Sequence, residues 1–483
     1  MSTLTVTTSS ELMENYIQSD ILLPQDQFIA LQTQAGASLL FSIRTGGVFN
    51  LTMEVPGIRY GWQLADLSSA RIQQDFPGGA TCKNFAAAQA VGQQPGQPAQ
   101  IQLAMVLNDG TNDHLYLSLA NSDSDLSWAN APAWTPCPYN AVDATGAPIA
   151  PPSPFLIAGL FISEATDGQF IVVDAIRNPS EPAGVLSRFY LNVTAPSSPV
   201  WMPHNLAADI QAGNYQSCLG RTTQAFGVDG IYTNGTIGTS AQLIYTPLYN
   251  VFDPSTPPLP SRLNLPGSLT ADAIAASRNA DNTSDLYAAA QGSLYYFASS
   301  NQHDGAVAEL LVHNDLLSGV RAMFAYASDG NVTVWGLNGS DAVFYLTSAQ
   351  AQVGTTAAWS FPVAILTGVD AIAPYIDRAY NANTFFAHGG NGLVKAVKTP
   401  ATGLWSRRNI TLPPSHTTQA ATPISSYTTH IQLTDATGQA AVNVPAALTA
   451  TSVTSVSINH LYYIIGSEPV QVSTDELGTI TII

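Results

Sequence analysis

A glycine-containing turn followed by an alternating apolar strand recurs seven times along this chain of 483 residues. The units are GGVFNLTMEV from Gly46, DGTNDHLYLSLA from Asp109, DGQFIVVDAI from Asp167, DGIYTNGTIG from Asp229, QGSLYYFASS from Gln291, DGNVTVWGLN from Asp329 and NGLVKAVKTP from Asn391. Asp-Gly and Asn-Gly supply the positive φ angles that a two-residue hairpin needs, and alternation with period 2 buries one face of each strand. One small sheet cannot bury both faces, so such units must stack on one another. Closing the stack into a ring shields most of the sheet edges. The turn glycines Gly47, Gly110, Gly168, Gly230, Gly292, Gly330 and Gly392 are separated by 63, 58, 62, 62, 38 and 62 residues. The spacing of 38 is short for a four-stranded unit, so the count is seven units with six as the alternative.

Other fragments keep step with these turns. Trp134-Thr-Pro, Trp201-Met-Pro, Trp359-Ser-Phe-Pro and Trp405-Ser-Arg-Arg each follow a strand after an interval rich in Ser, Ala and Pro, and each leads into a short apolar run. Helical patterning is thin, with ELMENYIQ from Glu11 the one candidate. The expected fold class is therefore all-β. The pattern resembles a β-propeller over residues 26–415, after an N-terminal segment of residues 1–25. The Gly-His and Trp-Asp pairs of WD40 blades and the double glycines of kelch blades are missing.

The units GSLYYFASSNQHDG from Gly292 and DGNVTVWGLN from Asp329 resemble the blades of tectonin and fucose-lectin propellers, which read as a DG turn, an alternating strand and a nearby tryptophan. After Pro413-Pro414-Ser415 the composition turns polar, and YTTHIQLTDATGQAAVNVPAALTA and VQVSTDELGTITII follow. These segments resemble bacterial Ig-like modules of the invasin type, which implies a small β-sandwich over residues 422–483. That stretch is shorter than the roughly 100 residues of a complete immunoglobulin sandwich. The run from Thr479 to Ile483 ends inside an apolar strand, as the front part of a longer or truncated polypeptide would.

Composition narrows the function. Charged residues are only 10% of the chain and the net charge is −18, with Lys83, Lys395 and Lys398 the only lysines. A nucleic-acid footprint needs a basic stripe, and none exists. The N-terminus lacks a charged and then apolar leader pattern, so any extracellular or cell-surface location would be reached by a non-classical route. No apolar run reaches about 18 residues, so membrane insertion is not expected. Cys82, Cys137 and Cys218 lie far apart, an odd count that points to buried free thiols rather than a disulfide framework. Seven Asn-x-Ser/Thr triplets, among them those at Asn50, Asn234 and Asn338, are read as chance products of composition.

No HExxH, GxSxG, Walker or GxGxxG pattern marks an enzyme. Glu54, Asp174, Glu309, His313 and Asp370 lie in or beside apolar runs, where a charge must be paired or line a wet channel. The histidines form no ligand pair, and the NSDSD run from Asn121 reads as a solvated loop ahead of a calcium site. No metal or cofactor is expected. The aromatic residues are more informative. Sugars stack their C–H faces on Trp or Tyr while polar side chains bind their hydroxyls. Trp335, Trp359, Trp405, Tyr295 and Tyr345 recur at comparable positions, and Arg321 and Arg378 head two successive units. The alternative for each tryptophan is a wedge between sheets. The expected function is a non-catalytic, lectin-like recognition module for a glycan or glycoconjugate, with protein partners at the C-terminal domain, in a larger surface, secreted or toxin-associated protein. The alternative is an enzyme with its site at the central channel, a glycan hydrolase or lyase or a small-molecule cyclase.

Overall fold

The computed structural model describes residues 3–6, 21–22, 28–44, 46–54, 62–90, 99–142, 145–151, 154–162, 170–176, 186–192, 200–204, 216–221, 229–237, 240–247, 260–279, 283–328, 330–377, 382–389, 392–398, 405–410, 427–434, 440–448, 460–465, 468–474 and 479–482. Seven antiparallel sheets follow one another along the chain. Sheet I places Ile29–Gln32 and Ile21–Leu22 on Ser38–Arg44, followed by Val48–Glu54 and Trp62–Asp66. Sheet II comprises Thr81–Ala90, Gln100–Asn108, Asp113–Ser122 and Thr135–Cys137, and sheet III Leu156–Ile162, Phe170–Ile176, Leu186–Asn192 and Val200–His204. Sheet IV holds Gln216–Arg221, Asp229–Ile237, Ser240–Pro247 and Ser261–Asn264, and sheet V Ala273–Arg278, Ser284–Ala290, Ser293–Phe297 and Glu309–His313. Sheet VI is Ala322–Ser328, Asn331–Leu337, Ala342–Ala349 and Val363–Thr367, and sheet VII Val369–Asp377, Ala382–Gly389, Gly392–Lys398 and Trp405–Asn409.

Neighbouring sheets pack face to face at most junctions among the described residues. Side chains among the described residues fill the junctions I–II, II–III, IV–V, V–VI and VI–VII. A further cluster joins the last sheet to the first: Ala371, Ala373, Tyr375 and Phe386 of sheet VII meet Leu40 and Trp62 of sheet I. Among the described residues six junctions are thus filled, the last-to-first one included, which is the stacking of a β-propeller. First strands neighbour first strands, including Val369–Asp377 of sheet VII beside Ile29–Gln32 of sheet I. Their inward crowding explains their composition. Ala86, Ala88, Ala273, Ala275, Ala322, Ala325, Ala371 and Ala373 are buried on first strands, while Phe49, Tyr232, Tyr287, Trp335, Phe344 and Phe385 fill the wider gaps between second and third strands. Sheets that converge on an axis leave little volume near it, and close packing demands small residues there and large ones further out.

The uneven turn spacing has a simple cause. Gly47, Gly110, Gly292 and Gly392 close the hairpin between the second and third strands of sheets I, II, V and VII, whereas Gly330 closes the hairpin between the first and second strands of sheet VI. The 38 residues from Gly292 to Gly330 are thus less than a full unit although every sheet is complete. In the loop of sheet V, Gln291 (φ 48°) and Gly292 (φ 75°) are consecutive left-handed residues, the pairing whose twist matches that of the flanking strands. Gly230 corrects the expected pattern, because it lies within Asp229–Ile237, paired to Gly220 and Pro247, and opens no turn. A Cβ there would come within 2.3 Å of the Tyr245 ring, so glycine is kept at this position for close approach.

One helix, Ser69–Asp75, has no counterpart in the sequence-based expectation. Asp66 Oδ1 accepts the backbone N–H groups of Ser68 and Ser69 at its start, at 3.0 and 2.9 Å, the role of a capping carboxylate. The candidate around Glu11 and the turn at Gly168 lie outside the described residues. No helix among the described residues is long and apolar enough to cross a membrane.

Five strands after residue 426 and the N-terminal Thr3–Val6 form one six-stranded sheet in the order Ala440–Leu448, Tyr427–Thr434, Thr3–Val6, Thr479–Ile482, Glu468–Thr474, His460–Ile465. The N-terminal strand Thr3–Val6 is thus shared with this sheet, and Ile21–Leu22 with sheet I.

Candidate functional site

Five of the seven tryptophans occupy one recurring position. Trp62, Trp134, Trp201, Trp359 and Trp405 lie in or just before the last strand of sheets I, II, III, VI and VII, and each packs toward the preceding sheet. Trp134 approaches Phe49 of sheet I at 6.3 Å between ring centroids, and Trp359 meets Tyr287 of sheet V edge-on at 5.8 Å. Trp62 makes the same contact across the closure, edge-on to Phe386 of sheet VII at 5.7 Å. An indole fills the wide outer gap, and in two of the five its N–H also finds an acceptor. Trp134 Nε1 donates to Leu67 O at 2.6 Å and Trp359 Nε1 to Val353 O at 2.7 Å.

The expected ligand residues divide accordingly. Trp335 is 1% exposed and Trp359 is also buried, both within junction clusters, so the wedge alternative describes these two side chains. Tyr295 is buried at the IV–V junction. Arg321 is a staple. Its guanidinium donates to Asp341, to Asn338 O at 3.3 Å and to Val369 O at 3.2 Å, which ties a turn of sheet VI to the first strand of sheet VII. Arg378 lies outside the described residues.

Three of the expected residues meet at the VI–VII junction. Trp405 lies 5.2 Å from Trp335 and 5.6 Å from Tyr345, and Trp335 lies 5.7 Å from Tyr345. Trp335 forms the buried floor, whereas Tyr345 and Trp405 are half-buried. Lys398, the cross-strand partner of Trp405, places Nζ 4.7 Å from the centroid of the Tyr345 ring. Cation and ring attract because the ring face is electron-rich. The indole N–H of Trp405 is buried without a hydrogen-bond partner. Two adjoining aromatic faces and an ammonium with three donors can stack against a saturated ring and donate to its oxygens, while the buried indole N–H lies out of a ligand's reach.

The VII–I junction carries a different constellation. Lys395 Nζ lies 2.8 Å from Ser38 Oγ and 3.5 Å from Glu54 Oε2, and the Tyr375 hydroxyl is 2.8 Å from the same Ser38 Oγ. Lysine beside serine can make a nucleophile, but Ser38 is fully buried, so no acyl donor reaches it. The group ties the closure together under Trp62, whose ring lies 5.8 Å from Lys395 Nζ.

The remaining acids do not converge on it. Glu309 is exposed on the last strand of sheet V, Asp370 stands 3.6 Å from His388 Nδ1 on sheet VII, and the side chain of Asp174 lies outside the described residues. His313 is exposed, with Nδ1 2.9 Å from Ser293 Oγ. Among the described residues no three His, Cys, Asp or Glu side chains gather as a metal group. The NSDSD run is solvated only in part, at Ser124 and Asp125. Asp123 is 2% exposed, and its carboxylate accepts the Gln34 N–H at 3.0 Å and a Gln89 amide N–H. Asp125 caps the short helix Leu126–Asn130 through the Ser127 N–H, which holds its carboxyl below the ordinary range. Cys82 and Cys137 are buried free thiols, with burial pushing Cys137 up to about 12. Asn50, Asn234 and Asn338 are buried, and their side chains donate to Val48 O, Ala271 O and Leu316 O, so these triplets are structural.

Asp285 at the V–VI junction is 5% exposed and accepts the Ser299 N–H at 2.8 Å. Burial pushes its carboxyl above the usual range, with the Ser299 N–H acting against the rise. Burial, then the Asp285 charge, pushes the Tyr287 and Tyr296 hydroxyls upward too. A carboxyl whose folded pKa exceeds its unfolded value favours the fold most below the unfolded value, and that favour is lost as pH rises through the folded value. Asp285→Asn is expected to melt at a higher temperature than the parent at pH 7, with the gap closing as pH falls toward the model-peptide carboxylate value of about 3.9. Calorimetry across that window checks it, and a gap independent of pH would refute the assignment.

No family model matches the chain, and no curated protein matches it. Solved structures do resemble it. The BP39L lectin of Burkholderia pseudomallei is 16% identical, covering 81% of this chain and 98% of that one, with a TM-score of 0.45. The fucose-recognising Aleuria aurantia lectin, a six-bladed β-propeller, is 12% identical over 83% of this chain and 100% of that one, with a TM-score of 0.38. An α-L-arabinanase of Penicillium chrysogenum, solved with arabinobiose, is 12% identical over 70% of this chain and 94% of that one, also with a TM-score of 0.38. At these values no residue of those proteins is matched to a residue of this one.

Proposed function

We propose that this chain is a carbohydrate-recognition protein on a seven-bladed propeller, with a ligand platform where sheets VI and VII meet. The half-buried pair Tyr345 and Trp405, with the Lys398 ammonium over the tyrosine face, carries the reading. The two partly exposed rings adjoin, and a pyranose offers apolar C–H groups for them and oxygens for the lysine. Trp335 braces the platform from below. Trp359, Tyr295 and Arg321 support the neighbouring junctions in this reading, and Arg378 is proposed as a further ligand contact from the segment after Val369–Asp377. The six-stranded sheet that Thr3–Val6 forms with the strands after residue 426 is proposed as an Ig-like module that presents the propeller to protein partners, in a secreted or surface setting.

Saturation-transfer NMR of the full chain with a panel of monosaccharides tests the reading. Transfer to ring C–H protons is expected, with line broadening of Tyr345 and Trp405. A panel with no transfer at about 10 mM ligand, well above the millimolar affinities of weak single sites, would overturn it.

A further inference from the structure

Four large apolar side chains are exposed among the described residues: Val307 (54%), Leu310 (50%), Phe361 (81%) and Val363 (48%). Single exposed apolar residues are ordinary, but all four fall along the outer margins of three consecutive sheets. Val307 lies on the strand added to sheet IV, Leu310 on the last strand of sheet V, and Phe361 and Val363 at the last strand of sheet VI. The last two margins touch, because Thr356 Oγ1 donates to Leu310 O at 3.1 Å.

Outer strands in this molecule carry the devices that discourage edge pairing. Sheet I has Asp66, sheet II Pro136, and sheet V Glu309 and His313. Sheet IV has Arg262, and its edge is covered as well by Ala306–Val307 in parallel pairing. Val363–Thr367 of sheet VI, sequence VAILT, has no charge and no proline. It pairs only with Ala342–Ala349 among the described residues, which leaves its outer edge open.

We propose that this edge joins two copies of the chain, Val363–Thr367 pairing antiparallel with its counterpart about a two-fold axis. An antiparallel strand pair is self-complementary, as a two-fold contact requires. Charge favours the same place. Each copy carries a net charge of −18, so two copies approach with least repulsion where the contact strand bears none. A stable interface buries about 800 Å² per partner, more than a five-residue edge supplies. Phe361 and Leu310 beside it add exposed apolar surface to the contact.

Sedimentation equilibrium of the full chain from about 1 to about 100 μM tests the proposal. A monomer–dimer equilibrium is expected, strengthened by added salt as the repulsion is screened. Phe361→Lys and Val363→Lys, both on exposed side chains, are expected to weaken association at least tenfold without changing Tm. The amides of residues 363–367 are expected to exchange more slowly as protein concentration rises. A parent that stays monomeric at 100 μM, or a dimer indifferent to both substitutions, would overturn it.

Discussion

Trp62→Ala is expected to destabilise the protein by about 3 to 5 kcal/mol, the range for emptying a buried aromatic site. Trp62 is 7% exposed and meets Phe386 across the junction between the last sheet and the first. Its cost therefore reports on closure. In an open stack of seven sheets both side chains would stand at the free ends, and the substitution would cost no more than the roughly 0.5 kcal/mol of a surface change. Urea unfolding of Trp62→Ala, Phe386→Ala and the double variant measures the difference. Closure predicts large single effects and a coupling of about 0.5 to 1.5 kcal/mol beyond area burial. Trp134→Ala, at an internal junction, is the natural reference, since its side chain is equally buried.

The second large effect concerns the platform. Trp405→Ala removes one of the two half-buried faces at the VI–VII junction and is expected to weaken sugar affinity by tenfold or more, about 1.4 kcal/mol at least. Trp405 also packs on Trp335 and Phe385, so the same change will lower stability. Lys398→Gln separates the two roles. Its ammonium touches the outer face of Tyr345 and belongs to no buried cluster, so Tm should hold while affinity falls several-fold. Unchanged affinity in both variants would move the site elsewhere.

Much of the ring was legible because its grammar is local. A turn glycine and an alternating strand lie within ten residues of each other, and their recurrence alone implies stacked sheets. The wedge was half legible: Trp134, Trp201, Trp359 and Trp405 share a sequence context, but Trp62 was missed because its role emerges only when sheet VII packs on sheet I. The buried alanines of the first strands, which mark sheets converging on an axis, were not read from the sequence. The irregular turn spacing misled, since glycines of the first and second hairpins are indistinguishable in one dimension.

The candidate site was less legible for a physical reason. Tyr345 and Trp405 come from neighbouring sheets and Lys398 from the strand beside Trp405, so no local spacing records their meeting. Trp335 and Tyr345 read alike in sequence, yet one is a floor and the other a half-open face. Acidic residues misled in the opposite sense. Asp123, in a run expected to be a solvated loop, proved to be a buried acceptor of a backbone N–H group, and Asp285, which the sequence did not single out, is another.

The central claim is that Tyr345 and Trp405 form a sugar platform, and titrating the intact protein with a glycan panel while following indole fluorescence tests it most directly. Saturable quenching with a millimolar or tighter constant, weakened at least tenfold in Trp405→Ala and several-fold in Lys398→Gln, is the predicted result. No saturable response to any glycan, or a response that survives both substitutions intact, would contradict it.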